Sequence, residues 1–273
     1  MSNLFVEDVS VGYSGSPIIE GLSVSVPDQK ITTIIGPNGC GKSTLLKAIA
    51  RILKTDKGAV FLDGKAIHQL STKKIAKRMA ILPQSSEVPS GLTIFELVSY
   101  GRFPHQGGFG GLNLEDLKQI DWAIQVTGLS EFKDRSVEAL SGGQRQRVWI
   151  AMALAQDTDI LILDEPTTYL DLAHQLDILL LLEKLNIEEK RTIIMVLHDL
   201  NHASRFSHNM IAMKGGEIIK EGSPSKVMTY STIQTVFEID VNLTTCPFSH
   251  NPIFHSYQLS RDTQQLFENA NEG

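Results

Sequence analysis

Gly36-Pro37-Asn38-Gly39-Cys40-Gly41-Lys42-Ser43 is the stretch on which the reading of this chain turns. It fits G-x-x-x-x-G-K-[ST] in full. Gly36, Gly39 and Gly41 let the backbone curl until successive amides point inward at a phosphate. The context agrees with the motif. Residues 30–35 form an apolar run that stops at Gly36, as a buried strand of a parallel sheet does. Residues 43–53 then carry a helical pattern, whose N-terminal dipole favours an anion. Lys42 is expected to reach the β- and γ-phosphates of a nucleotide, Ser43 to ligate Mg²⁺, and Thr44 to add a hydroxyl near the α- and β-phosphates. GTPases, kinases and ATPases share such a loop, so the surrounding sequence must choose among them.

Working outward, residues 160–163 are another apolar run, ending in Asp164 and Glu165. Beside a phosphate loop, Asp164 is placed to hold Mg²⁺ across from Ser43. Glu165, one residue on, is placed to polarise a water for in-line attack on the γ-phosphate. Strand signals recur at 79–82, 192–197 and 210–213, and helical text follows most of them, the βαβ rhythm of a parallel sheet. Gly215-Gly216 marks a hairpin into 217–220. Alternation at 22–26, a looser version at 4–11, and 59–62 leading into Asp63-Gly64 predict antiparallel strands.

Between Pro83 and about Gln156 the sequence carries helix signals without a convincing strand. Thr93-Ile94-Phe95-Glu96 is a capping box, and Asn113 can cap a helix over 114–126. From Pro247 onward the text is rich in Pro, His and polar residues and predicts a loosely packed tail.

The 273 residues are 42% hydrophobic, enough for one large α/β domain or for a core with a subdomain inserted. Apolar runs fall far short of the ~20 residues of a membrane-spanning helix. Glu7 and Asp8 interrupt any signal-peptide pattern, so a cytosolic protein is expected. A net charge of −6 argues against a nucleic-acid binder. Cys40 and Cys246 make no disulfide framework. Cys40, at a helix start two residues from Lys42, is expected to favour the thiolate, and Cys246 is not. The spacing of His174, His198, His202 and His208 does not suggest a metal cluster.

Leu140-Ser141-Gly142-Gly143-Gln144 settles the class. A serine and two glycines at the start of a helix over 144–156 make a second phosphate-binding helix end. The pentapeptide is similar, letter for letter, to the signature motif of ABC ATPases. The resemblance implies that Ser141, Gly142, Gly143 and Gln144 close on ATP held by a second copy of the chain. It also implies that Tyr13 stacks on adenine, that Gln84 touches Mg²⁺ and couples the sheet to the helical insert, that Asp171 lies at the dimer interface and that His198 contacts the γ-phosphate. These elements stand in order along nearly the whole chain.

The expected fold is α/β: a P-loop ATPase core with a mostly parallel sheet, an N-terminal antiparallel β-subdomain and an inserted helical subdomain. Residues 1–84 and 157–240 would form the core, 85–156 the helical subdomain and 241–273 a C-terminal tail. Cassettes separate from their membrane helices resemble importer subunits. Gly39-Cys40-Gly41, the Tyr169-Leu170 pair and residues 98–105 further resemble cassettes that import iron(III)–siderophore, haem and cobalamin. That resemblance implies ATP and Mg as cofactors, transmembrane permease subunits as direct partners and a substrate-binding protein as an indirect one, at the cytoplasmic face of the membrane. Residues 98–105, with Gly101-Arg102 among them, would then form a surface that docks the permease. Zinc or manganese import is the neighbouring reading. A non-transport cytosolic ABC ATPase is the reading from another class, and the paired cassettes or long coiled coils of such proteins are absent from this sequence.

Overall fold

The computed structural model describes residues 4–13, 15–84, 91–107 and 111–260. Parts of the expected helical insertion (85–90 and 108–110), of the tail (261–273) and of the N-terminal stretch (1–3) lie outside the described residues. The strands are β1 (Leu4–Tyr13), β2 (Ser16–Val26), β3 (Ile31–Ile35), β4 (Lys57–Leu62), β5 (Lys65–Ala66), β6 (Met79–Leu82), β7 (Ile160–Asp164), β8 (Thr192–Val196), β9 (Asn209–Lys214), β10 (Glu217–Gly222), β11 (Ile239–Thr245) and β12 (Pro252–Leu259). The helices are α1 (Lys42–Ile49), α2 (Thr72–Ala76), α3 (Ile94–Ser99), α4 (Leu114–Val126), α5 (Gly142–Ala155), α6 (Leu172–Glu189), α7 (Leu200–Phe206), α8 (Pro224–Val227) and α9 (Tyr230–Phe237).

A six-stranded sheet runs β10-β9-β3-β8-β7-β6, parallel except for β10, which pairs antiparallel with β9 through Gly215-Gly216. All five residues of β3, of β7 and of β8 are buried, which explains why these strands read as near-continuous apolar text. Their pleat sorts side chains onto two cores. Leu161, Leu163, Ile193 and Met195 face one that includes α5, α6 and α7. Ile160, Ile162, Ile194 and Val196 face the other, with α1 and the antiparallel sheet β2-β1-β4-β5. Burying each such side chain contributes roughly 1.5–3 kcal/mol.

Two helix starts agree with the sequence to the residue: Thr93 with Glu96 and Asn113 with Asp116 each form a reciprocal capping box. Helix α5 starts at Gly142, two residues before the expected 144, because Ser141 and Gln144 form a third such box. Helix α1 stops at Ile49, short of the expected 53, because Arg51 turns the chain at φ 56°. The guanidinium of Arg51 then donates to the carbonyls of Ile67 and Leu70. No helix among the described residues is long and apolar enough to cross a membrane.

Two expectations are corrected. The chain after Pro247 is not loosely packed as far as Leu259, since β12 pairs with β11 in an antiparallel hairpin that rests on α7. Asn201 exchanges two bonds with the backbone of Phe254, and Asn251 donates to the Ser204 carbonyl at 2.8 Å. The hairpin's outward residues are mostly half-exposed or exposed, which erased the apolar alternation that would have announced it.

Within residues 98–105, Gly101 and Arg102 are themselves buried and form a joint, so they cannot be the part of that stretch that meets a partner. Arg102 Nε meets Asp116 Oδ1 at 2.8 Å, and Arg102 Nη1 donates to the Ala155 carbonyl at the end of α5, also at 2.8 Å. A Cβ on Gly101 would lie 2.2 Å from the Met152 carbonyl oxygen. Next to this joint, Gln156 Nε2 donates to the carbonyls of Ala76 and Met79, tying the end of α5 to the start of β6. What this segment exposes is Tyr100 and Phe103, stacked at 5.1 Å with an interplanar angle of 17°.

Arg102→Ala should therefore cost about 3–5 kcal/mol in a urea or thermal unfolding measurement, because it strands the Asp116 carboxylate in an apolar setting. Burial opposes the Asp116 carboxylate, yet its bonds to Arg102 and to the Asn113 amide hold its pKa below the ordinary value. The contribution should be complete above the ordinary carboxyl range near pH ~4 and be lost as pH falls through the lowered value. Arg102→Met combined with Asp116→Leu should recover part of the loss. A single variant as stable as the parent would remove the joint from the account.

Candidate active site

The loop from Gly36 to Gly41 joins β3 to α1 and has φ values of 155°, 78° and 101° at Gly36, Gly39 and Gly41. At Gly36 a Cβ would fall 2.3 Å from the Met213 carbonyl oxygen of neighbouring β9, so this position tolerates only a bare backbone. Lys42 is almost fully buried, and its Nζ donates to the carbonyls of Gly36 and Pro37, each at 2.9 Å. The cation is thus folded into the loop it serves. A cavity of about 460 Å³ opens above, with Asn38, Gly39, Gly41 and residues 42–44 on one side. Gln84, Glu165 and His198 stand among the remaining lining, with Ile18 and Tyr169.

Parallel register brings these distant residues together. Leu82 pairs with Leu163 and Asp164 pairs with Val196, so the chain just beyond β6, β7 and β8 emerges at one edge. Gln84, Glu165 and His198 occupy those three exits. Glu165 accepts from Gln84 Nε2 at 2.7 Å and from the Thr168 hydroxyl at 3.1 Å on Oε2, and its Oε1 lies 2.7 Å from His198 Nε2. Its φ of 55° is unusual for a residue with a side chain, a local strain that the three partners hold in place.

Ser43 donates its hydroxyl to Asp164 Oδ1 at 2.9 Å. Burial, reinforced by the charge of Glu165, raises the Asp164 carboxyl against the opposing bond from Ser43 and the charges of Lys47 and Lys42. A hydroxyl and a buried carboxylate beside a phosphate loop are hard oxygen donors that suit a divalent cation such as Mg²⁺. Gln84, expected to touch that ion, directs its amide nitrogen to Glu165.

Not every expected residue lines this cavity. Tyr13 ends β1 at 44% exposure and is not part of the wall. Ser141, Gly142, Gly143 and Gln144 open α5, and Asp171 caps α6 by accepting from the His174 amide at 2.9 Å. Those two helix starts meet each other, since Gly143 lies beneath the His174 ring. Thr168 escaped the sequence reading although its hydroxyl stands three residues beyond Glu165, the spacing of a turn that folds back on its first residue. Ile18 left no signal, because it reaches the cavity only through the packing of β2 over Gly41.

The cysteines reverse the expectation. Cys40 is buried, and that burial raises its thiol despite the charge of Lys42 and the loop amides. Cys246 is also buried, but the Ser249 hydroxyl, the amides of Ser249 and Phe248, and the charge of Arg205 outweigh burial and lower it. A helix start therefore does not make Cys40 the more acidic thiol.

Comparison with known proteins agrees with this geometry. The ABC transporter family matches residues 19–168. The chain is 60% identical, over 97% of its length and 99% of the relative's, to the iron(3+)-hydroxamate import ATP-binding protein FhuC of Bacillus subtilis. Its fold superposes on a chain of an ABC transporter in an inward-facing conformation with a TM-score of 0.81 at 24% identity, covering 96% of this chain and 99% of that one. A dimeric bacterial ABC transporter cassette, MJ0796, is 30% identical with a TM-score of 0.71, covering 81% of this chain and 98% of that one. A phosphate loop facing Glu165, a signature turn capping α5 and these likenesses lead to one assignment: the chain belongs to the ABC transporter family, as one of its ATP-binding, ATP-hydrolysing subunits.

Proposed function

We propose that this subunit energises import of iron(III)–siderophore complexes, most closely of the hydroxamate kind, from the cytoplasmic face of the membrane. The cargo reading is supported by the 60% identity to the Bacillus subtilis hydroxamate import protein across almost the whole of both chains. Haem and cobalamin import are the neighbouring alternatives. The catalytic reading is carried by one observation: Glu165, held by Gln84, Thr168 and His198, lines the same cavity as the phosphate loop.

In that reading the amides of the loop and Lys42 bind the β- and γ-phosphates. When bound, Mg²⁺ held by Ser43 and Asp164 would neutralise phosphate charge, with Gln84 at its margin. Glu165 takes a proton from a water as the water oxygen bonds to the γ-phosphorus. The bond to the bridging oxygen breaks, and ADP and phosphate leave. His198 keeps Glu165 in line and meets the γ-phosphate. Tyr13 supplies a face for adenine.

A second copy completes the site. The signature residues, Ser141 to Gln144, sit on a helix start away from this chain's own cavity, and the MJ0796 cassette is dimeric. Each nucleotide is then shared between one copy's phosphate loop and the other's signature, with Asp171 at the interface. ATP acts as a ligand of the closed dimer and hydrolysis releases it. Residues 1–84 and 157–240 bind the nucleotide and 85–156 carry the signature. The exposed Tyr100–Phe103 stack, in place of Gly101-Arg102, is the surface offered to the permease. A substrate-binding protein takes part only through that permease, and nucleic acid has no role.

Glu165→Gln should lower turnover by about 10²–10⁴-fold, keep ATP affinity and trap an ATP-bound dimer on size exclusion. Turnover within twofold of the parent would end the assignment of Glu165 as base. Deleting the gene should abolish growth on a ferric hydroxamate as sole iron source while sparing growth on haem; the reverse pattern would overturn the cargo reading. Tyr100→Ala with Phe103→Ala should leave ATPase activity of the isolated subunit within twofold and weaken its co-purification with the permease. Unchanged co-purification would remove that surface.

A further inference from the structure

Helices α5 and α6 touch end to end at a contact that the catalytic reading leaves unused. Asp171 caps α6, and the same carboxylate oxygen lies 2.8 Å from His174 Nδ1. A carboxylate only accepts, so Nδ1 carries the proton and the ring is fixed at two points, by its own backbone amide and by its side chain. The opposite edge of the imidazole lies on Gly143. A Cβ there would meet His174 Cδ2 at 2.5 Å and Nε2 at 3.2 Å. One turn further along, Arg147 Nη2 meets Asp177 Oδ2 at 2.9 Å and continues the seam between the two helices.

Within the signature turn Ser141 and Gln144 cap each other, and Arg145 donates to the Leu140 carbonyl at 3.2 Å. Leu140 is buried in the core and its amide bonds to the Val137 carbonyl, which ties the turn to the chain before it. His174 adds a tie to α6: its half-exposed ring stands between Asp171 and the bare Gly143 backbone. A glycine at 143 thus has a second reason beyond approach to a phosphate: it makes room for the ring.

We propose that His174 is a positioning residue that locks Asp171 and the signature turn into one rigid unit and so acts on the ATP held by a second copy of this chain. This rests on the shared-site reading given above. Displacing well-placed groups by about 1 Å costs up to ~100-fold in rate, and loss of the ring frees the turn without removing any group that touches nucleotide.

The test uses the full chain in the Glu165→Gln background, where ATP-driven dimers accumulate. Adding His174→Ala should leave binding of a fluorescent ATP analogue to the monomer within twofold. It should weaken ATP-dependent dimerisation, followed by sedimentation, about tenfold, and lower steady-state ATPase about tenfold when Glu165 is intact. Gly143→Ala should do equal or greater damage, because its Cβ meets the ring and also stands where the turn approaches the phosphate. Dimerisation by His174→Ala equal to its Glu165→Gln parent would overturn the inference, and so would an equal loss of nucleotide binding by the monomer, the mark of general damage to the fold. No ATP-dependent dimer from Glu165→Gln alone would overturn the shared-site reading instead, and this inference with it.

Discussion

The register of the hydrogen bonds between β6, β7 and β8 is the constraint from which the chemistry follows. Leu82 opposite Leu163 and Asp164 opposite Val196 fix where three chain segments leave the sheet. Since side chains alternate with period two, a slip of one residue would turn every buried residue of β7 to the other face. It would also withdraw Asp164 from Ser43 and Glu165 from His198. Both faces of β7 are apolar and buried, so the cores alone do not forbid the slip; the polar contacts of Asp164 and Glu165 at the end of the strand oppose it.

Those carboxylates are adjacent in the chain but differ in setting. Asp164 is in the strand, buried and raised by desolvation, and its partner is a hydroxyl from α1. Glu165 is the first residue past the strand, at positive φ, and its partners come from the exits of β6 and β8 and the turn after β7. In the proposed cycle one acid meets a cation and the other a water. The peptide bond between them keeps the two tasks a few ångströms apart.

The helices between β6 and β7 are attached to the sheet by polar contacts as well as by packing. Gln156 bonds to the chain at Ala76 and Met79, and Arg102 closes the end of α5 against Asp116. At its other end α5 presents the signature turn against α6 through His174. Helix α5 is thereby held at both ends, by the joint that touches β6 and by the element that follows the catalytic strand.

Local chemistry made much of this legible in the sequence. The phosphate loop needs glycines because the backbone itself makes the site, and the capping boxes at Thr93, Asn113 and Ser141 are contacts within four residues. The buried strands declared themselves because both faces are covered. Contacts made across the chain were not legible. Gly101-Arg102 reads as a surface turn until Asp116 and Ala155 close over it, and Cys40 reads as an activated thiol until burial is known. The β11–β12 hairpin and the His174–Gly143 contact likewise depend on partners supplied by other elements. The phosphate loop, the strand-end acids, the caps at Thr93 and Asn113 and the order of the core strands are written locally, in hydrogen bonding and steric freedom within a few residues. Which side chains are buried, which thiol is the more acidic and which residues meet Glu165 depend on the folded chain. Desolvation and steric exclusion are set by atoms distant in the chain.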